Sequence, residues 1–233
     1  MGANDGIWKE EHGWHALWCL AVSDDGKTFT KPSLGMFEYN GSKDNNIVHM
    51  EKRTIDNFSV QLDTNPDCPP DAKYKALSLH GFDVTNENGE IRRVGGLMYY
   101  KSPDGYHFTP VGKLDVPGAF DSLNFTMWDE TIGKYRLYFR NFHKVDPTYK
   151  VEYEAENEVR DIRVSYSEDF EHWTEPKRLS YGEDKLEIQL YTNAISKYPG
   201  TNMFYGMPTR YIDRAPDKNN YKYLPDVTAI VRC

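Results

Sequence analysis

Short β-prone stretches separated by turn residues run through the chain, and one turn pattern occurs three times. Three eight-residue segments align without gaps, at 23–30, 102–109 and 167–174. They share the pattern Ser-x-Asp-[Gly/Phe]-x-x-[Phe/Trp]-Thr. Asp-Gly between β-prone stretches is typical of a tight hairpin turn, which the Ser and Asp side chains stabilise through nearby backbone N–H groups. We predict three equivalent hairpins, each burying the ring at its seventh position: Phe29, Phe108 and Trp173.

A second element recurs between these turns. An Asn followed by an apolar residue begins a hairpin whose second strand is rich in aromatic residues; the three starts are Asn57, Asn124 and Asn193. Together the two elements make a unit of four antiparallel strands, which is the composition of a propeller blade. The best helix candidate, 149–160, alternates with period two and lacks an apolar stripe, so we predict a loop or an exposed hairpin there. The sequence therefore predicts an all-β chain.

The number of predicted strands does not complete a ring. We predict a single β-propeller domain or fragment over 1–233, with four-stranded antiparallel blades at 56–115 and 118–181 and partial blades at 10–40 and 190–233. A closed propeller needs at least four blades, so an incomplete propeller is favoured over a small ring closed by pairing the two termini. An open propeller exposes unpaired strand edges, and self-association through those edges is expected.

Composition and charge narrow the range of partners. Aromatic residues make up 14% of the chain, enough to build a core and line a pocket. The net charge of −8, without a basic stripe, argues against nucleic-acid binding. The longest apolar run, 16–22, is far too short to span a membrane, and the N-terminus lacks signal-peptide features, which leaves cytoplasm as the default compartment. Three distant cysteines and seven histidines without ligand spacing predict no disulfide framework, no metal and no cofactor.

The turn pattern and the strand start at 120–124 resemble the five-bladed β-propeller glycoside hydrolases of families 32 and 43 and their unclassified relatives. The stretches 41–48, 161–176 and 190–193 are similar to the same group. The resemblance extends over most of the chain and implies hydrolysis of O-glycosidic bonds in an oligo- or polysaccharide. It also implies three carboxylates at the mouth of a central funnel, acting as nucleophile or base, transition-state stabiliser and general acid. The implied partner is a carbohydrate substrate.

The resemblance assigns the catalytic carboxylates to individual residues. Asp121 takes the stabiliser position before an innermost strand, although the Arg and Pro that flank it in family 32 are missing. Glu187 takes the general-acid position without the Cys that follows it there. Asp63, or alternatively Asp44, is the nucleophile candidate, and neither lies in an Asn-Asp-Pro motif. The alternatives are a turn-capping role for Asp121, plain surface charge for Glu187 and a turn role for Asp63. Innermost strands that start side by side predict that the carboxyls of Asp121 and Glu187 lie within about 10 Å of each other.

Six further residues are candidates for substrate binding: Asn124, Arg140, Arg163, Tyr191, Asn193 and Arg210. Arginine makes bidentate contacts to hydroxyl or carboxylate groups, and a tyrosine ring can stack on a sugar. The alternative for the arginines is a salt bridge to a neighbouring blade. Three functions stay open: a glycosidase, a non-catalytic carbohydrate-binding propeller fragment, and a glycoside phosphorylase with a basic phosphate pocket.

Overall fold

The structure is a computed structural model that describes residues 2–4, 15–52, 56–145, 150–151, 158–180, 186–187, 189–210 and 231–232. The chain divides into two compact units, Met1–Lys113 and Leu114–Cys233. Within the described ranges the only helical element is the three-residue 3-10 turn Pro70–Ala72. None of the described residues forms a helix with the length and apolar character needed to cross a membrane. The predicted all-β fold class is confirmed.

The first unit contains two antiparallel sheets. Its strands are β1 Gly2–Asn4, β2 His15–Cys19, β3 Ile47–Lys52, β4 Asp56–Leu62, β5 Tyr74–Thr85, β6 Ile91–Ser102 and β7 Thr109–Lys113. Strands β1, β2 and β3 form a three-stranded sheet in chain order, and β4 to β7 form a four-stranded meander. The four-stranded meander lies within the blade predicted at 56–115. Both strands that pair with β2, β1 and β3, lie outside the partial blade predicted at 10–40, and that partial blade stays a prediction.

The second unit repeats this arrangement. Its strands are β8 Phe125–Asp129, β9 Lys134–Lys144, β10 Lys150–Val151, β11 Glu158–Ser167, β12 Lys177–Arg178, β13 Leu186–Glu187, β14 Leu190–Lys197, β15 Phe204–Arg210 and β16 Val231–Arg232. Strands β8, β9, β11 and β12 form a four-stranded antiparallel sheet, and β14, β15 and β16 form a three-stranded one. Strands β10 and β13 pair in parallel outside both sheets. Four-stranded antiparallel sheets are thus confirmed, whereas the grouping of all sheets into one propeller domain stays a prediction.

The second strand of each four-stranded sheet is buried on both faces. In β5 the consecutive residues 75–78 are buried, and in β9 the consecutive residues 137–140 are buried. Successive side chains of a strand point to opposite faces, so a continuous buried run means that both faces are covered. Ala76 and Leu137, each fully buried, hold equivalent places in the two sheets, because each pairs with the residue two positions before the Ser of the repeated turn.

The three repeated turns share one hydrogen-bond pattern, as predicted. In each turn the Ser hydroxyl lies 3.0 to 3.1 Å from the Asp carboxylate and accepts the backbone N–H three residues on. The same carboxylate accepts the two backbone N–H groups that follow it by two and three residues, at 2.7 to 2.9 Å. These N–H groups lower the pKa of Asp25 to about 2 and hold the pKa values of Asp104 and Asp169 well below the ordinary range.

The fourth position of each turn adopts left-handed backbone geometry. Gly26 and Gly105 have φ values of 70° and 79°, and Phe170 has 70°. A side chain at positive φ is strained, so Phe170 accepts a conformation that glycine adopts freely. Its ring is 2% exposed and lies edge-on to Tyr135 and Trp173, at centroid distances of 5.1 and 5.4 Å. Burial of the ring offsets the strain.

The prediction of ring burial at the seventh position is wrong for Phe29, which is 61% exposed. Thr30 pairs with Val22 only through an isolated bridge, and among the described residues no strand directly follows this turn to support the ring. Phe108 and Trp173 are half-buried. In the third turn, Phe170 occupies the buried place that was expected for Trp173.

Candidate functional site

Three of the predicted site residues meet in the second unit. Asp121 lies in the loop before β8, Arg140 near the end of β9 and Tyr191 near the start of β14. Arg140 Nη2 and the Tyr191 hydroxyl approach the same oxygen, Asp121 Oδ2, at 3.5 and 3.3 Å. The Asp121 side chain is 61% exposed and that of Arg140 only 5%. The arrangement presents a carboxylate to solvent above a buried guanidinium group.

Aromatic rings hold Arg140 in place. Its guanidinium carbon lies 4.7 Å from the ring centroid of Phe142 and 5.1 Å from that of Tyr191. Such stacking fixes the plane of a guanidinium and leaves its edges free to hydrogen-bond. Burial raises the pKa of the Tyr191 phenol, and the charge of Asp121 raises it further. The phenol is therefore protonated at neutral pH and donates to the carboxylate. We call Asp121, Arg140 and Tyr191 the Asp121 site.

The loop that carries Asp121 is held from inside by Asn124. Its side-chain amide donates to the carbonyls of Phe120 and Ser122, each at 2.9 Å, and the side chain is fully buried. The Phe120 ring lies against Phe139 at 5.2 Å. The structure therefore places Asn124 beneath the loop that positions Asp121, away from the surface where a substrate would bind.

Asn193 is also buried, at 3% exposure. Its Oδ1 lies close to Gly206 on the adjacent strand, where an added Cβ would come within 2.8 Å of that oxygen. Pro208 faces Asn193 in the strand register. Because the side chain is enclosed by its own sheet, Asn193 supports β14 and does not face solvent.

Arg163 forms a salt bridge within its own strand rather than to a neighbouring blade. Its Nε lies 3.0 Å from Asp161 Oδ1, and its Nη2 donates to the Phe142 carbonyl at 2.7 Å. His143 Nδ1 lies 2.8 Å from the other oxygen of Asp161. Arg210 ends β15, where it is in register with Leu190. Neither residue contacts the Asp121 carboxylate in the contacts that the structure describes.

Asp63 belongs to the first unit and is neutralised there. Its side chain is 1% exposed and forms an ion pair with the buried ammonium group of Lys75. Asp63 also accepts the backbone N–H of Asn65 at 2.9 Å, and Lys75 donates to the Ala72 carbonyl at 3.0 Å. This arrangement matches the turn role that was the alternative to catalysis. Asp44 lies in an exposed loop.

The Glu187 side chain lies outside the described residues. Its backbone belongs to β13 and is in register with Val151. The predicted separation of Asp121 and Glu187 therefore stays a prediction.

Three neighbours of the Asp121 site were not among the residues predicted from the sequence. Arg160 lies with its guanidinium carbon 5.4 Å from the Phe142 ring and donates to Gln189 Oε1 at 2.8 Å. Alternation along β9 could have revealed Phe142, since residues two apart in a strand share a face and Arg140 was already a candidate. Arg160 and Gln189 come from distant parts of the sequence, and no local pattern links them.

A second group of titratable side chains lies in the first unit. The hydroxyl of Tyr100 lies 3.0 Å from Glu51 Oε2 and 2.8 Å from His80 Nε2. The Nε2 atoms of His49 and His80 lie 3.6 and 3.5 Å from the same Glu51 oxygen. Burial lowers the pKa of His80 and raises that of Tyr100. No group of three His, Cys, Asp or Glu residues in the described ranges has the geometry of a metal site.

Comparison with known proteins finds similarity only to solved structures. No protein-family model and no curated protein matches the chain. A candidate glycoside hydrolase from Parabacteroides distasonis is similar at 12% identity and a TM-score of 0.38, over 69% of this chain and 48% of that one. An N-acetylgalactosamine deacetylase from F. plautii, in complex with blood group B trisaccharide, is similar at 12% identity and a TM-score of 0.49, over 86% of this chain and 59% of that one. The chain thus spans about half of each of these proteins.

Proposed function

We propose that the protein is a glycoside hydrolase-like enzyme that cleaves O-glycosidic bonds of an oligo- or polysaccharide at the Asp121 site. One observation carries the proposal: two donors, Arg140 and Tyr191, hold a single oxygen of a solvent-facing carboxylate. Oδ1 of Asp121 has no partner among the described residues, so a substrate hydroxyl or sugar ring can approach it.

The chemistry follows from the charge that develops during glycosidic cleavage. The anomeric carbon becomes cationic in the transition state, and a fixed carboxylate beside it stabilises that charge. Arg140 is buried and stacked between two rings, so it holds Asp121 in one orientation without reorganising. A general acid must also protonate the leaving oxygen. In the proposal this acid is Glu187, which precedes Tyr191 by four residues.

Tyr191 has two parts in the proposal. Its hydroxyl orients Asp121, and its half-buried ring offers an apolar face on which a sugar can stack. Tyr191→Phe removes the hydroxyl and keeps the ring, whereas Tyr191→Ala removes both. The two variants therefore separate positioning of the carboxylate from binding of the sugar.

The test is hydrolysis of xylo-, arabino- and fructo-oligosaccharides by the full chain, with and without inorganic phosphate. We expect Asp121→Asn to lower kcat by about 10²- to 10³-fold, the effect of removing one group that stabilises charge in the transition state. Tyr191→Phe should lower kcat with little change in KM, and Tyr191→Ala should also raise KM. Glu175→Gln, which changes an exposed carboxylate of the same unit, is the matched control and should leave both constants unchanged. Equal rates for Asp121→Asn and the parent would refute the assignment.

Phosphate dependence decides between hydrolysis and phosphorolysis. The guanidinium groups of Arg140 and Arg160 both lie near the Phe142 ring, and paired guanidinium groups suit a phosphate. If turnover requires phosphate and releases a sugar phosphate, the protein is a phosphorylase and not a hydrolase. Binding of an oligosaccharide without turnover under either condition would favour the non-catalytic module.

A further inference from the structure

An open cavity lies at the third repeated turn, away from the residues of the Asp121 site. Its volume is about 360 Å³, and its lining includes Lys134, Tyr166, Glu168, His172 and Trp173. This volume is at the lower end of the range for small-molecule sites, roughly 300–1,000 Å³. None of its lining residues belongs to the Asp121 site. We call it the Trp173 cavity.

Trp173 is available to this cavity because another ring fills the core position of the turn. Phe170 is buried, and Trp173 remains half-buried beside it. The indole N–H donates to the Phe170 carbonyl at 3.1 Å, and the two rings meet edge to face. These contacts fix the indole at the cavity wall. A fixed, partly exposed indole is a preformed apolar surface for a ligand, since little side-chain freedom is lost when the ligand binds.

The polar groups of the cavity are arranged in opposite-charge pairs. Lys134 Nζ lies 2.9 Å from Glu168 Oε1, and His172 Nδ1 lies 2.7 Å from Asp169 Oδ2. Hydrogen bonding to Asp169 raises the pKa of His172, which favours the imidazolium. Each positive group is thus matched by a carboxylate. A strongly charged ligand would have to break these pairs, so the cavity does not favour either sign of charge.

A neutral polyhydroxyl ligand suits these paired polar groups of the Trp173 cavity. Each hydroxyl donates one hydrogen bond and accepts up to two, so neighbouring hydroxyls can bridge a donor and an acceptor that stand side by side. Lys134 and Glu168 provide such a pair, and both remain partly exposed, at 41% and 76%. The Trp173 ring offers an apolar face to the C–H groups of a sugar ring. We propose that the Trp173 cavity binds a neutral saccharide and is a second carbohydrate site, separate from the Asp121 site.

The second turn provides a matched control for the third. His107 holds the same place in the second turn as His172 in the third, and its Nδ1 lies 2.7 Å from Asp104 Oδ2. His107 does not line the Trp173 cavity. His107→Ala and His172→Ala therefore make the same chemical change in the same turn geometry, and only the second removes a group from the cavity.

The experiment is an NMR titration of the indole N–H signals of the full chain with cellotriose, xylotriose, mannotriose and maltotriose at millimolar concentrations. Trp173→Phe assigns the Trp173 signal. We expect at least one of these sugars to shift that signal in a saturable way. His172→Ala and Glu168→Gln, both at exposed positions, should weaken the binding about tenfold, whereas His107→Ala and Trp128→Phe should not change it. No shift of the Trp173 signal with any of the four sugars would overturn the proposal, as would equal weakening by His107→Ala.

Two further measurements distinguish binding at the Trp173 cavity from the alternatives. In the Asp121→Asn and Tyr191→Ala variants the Trp173 response should persist, so a failure of the proposed hydrolysis leaves it measurable by itself. A response that disappears in those variants would mean that the sugar binds only at the Asp121 site. Tighter binding of glucuronic acid or glucosamine than of the neutral sugars would refute the neutral class of ligand.

Discussion

Phe170 allows ring burial and backbone strain to be measured separately at one position. Phe170→Ala removes a ring that is 2% exposed and lies against Tyr135 and Trp173, while the backbone must keep a φ of 70°. Truncation of a buried Phe to Ala costs about 3–5 kcal/mol. Phe170→Gly removes the same ring and also removes the Cβ that makes this backbone unfavourable.

The difference between the two variants follows from the backbone alone. A left-handed conformation costs a residue with a Cβ roughly 1–2 kcal/mol. Part of this gain from glycine is lost, because glycine makes the unfolded chain more flexible and thereby lowers the free energy of unfolding by roughly 0.4–1 kcal/mol. We therefore expect Phe170→Gly to be more stable than Phe170→Ala by about 1 kcal/mol, although glycine is the smaller residue. This order is opposite to the one expected from the size of the side chain.

The assay is equilibrium unfolding in urea, with the free energy of unfolding compared among the parent and both variants. Gly26→Ala is the control for the backbone, because a Cβ at Gly26, at the same φ, meets no atom within 4 Å. The free energy of unfolding lost in Gly26→Ala should be about equal to the difference between Phe170→Gly and Phe170→Ala. Phe170→Ala as stable as Phe170→Gly, or more so, would show that the backbone at 170 relaxes and that the strain argument is wrong.

Two further predictions concern the first unit. Burial lowers the pKa of His80 and the charge of His49 lowers it further, against the opposing charge of Glu51, so the folded state binds its proton less readily than the unfolded state. The contribution of His80 to stability is complete above the ordinary pKa of 6.5 and decreases as the pH falls towards the lower folded value. The thermal unfolding temperature of the parent should therefore decrease with falling pH, and His80→Gln should flatten this dependence. The same pH dependence in the parent and the variant would contradict the prediction. Lys75→Met leaves the buried carboxylate of Asp63 without its cation, which should cost about 3–5 kcal/mol in urea unfolding. The double variant with Asp63→Leu should recover most of that loss, and no recovery would show that the effect comes from packing.

Local chemistry explains what the sequence predicted well. Each repeated turn is closed by hydrogen bonds between residues at most three positions apart, so Ser, Asp and a residue tolerant of positive φ define it without help from the rest of the chain. The burial of the rings depends on what lies beneath the turn. Phe170 is buried because Tyr135, on another strand, supports it, and no local pattern contains that information.

The same distinction applies to the candidate site. Asp121, Arg140 and Tyr191 were predicted as separate residues, and the structure brings them together. Asp63 was predicted as a carboxylate near prolines, whereas its partner Lys75 lies twelve residues away in the sequence. The pair can form because Asp63 follows β4 and Lys75 lies on the adjacent strand β5. Long-range pairing of this kind determines whether a carboxylate is available for chemistry.

The repeated turns also bear on how the chain folds. Each is closed by contacts that form within eight consecutive residues, and hairpins of this kind form in about 1–10 μs. Non-local strand pairing is slower, because the entropy of loop closure is lost before the contacts form. In the two four-stranded sheets the turn joins the last two strands, so their register can be set before the first strand pairs. Each four-stranded sheet should therefore form its C-terminal hairpin first and add the earlier strands afterwards. A substitution that removes the hydroxyl of Ser102 or Ser167 destabilises this turn, and it should slow refolding more than it accelerates unfolding.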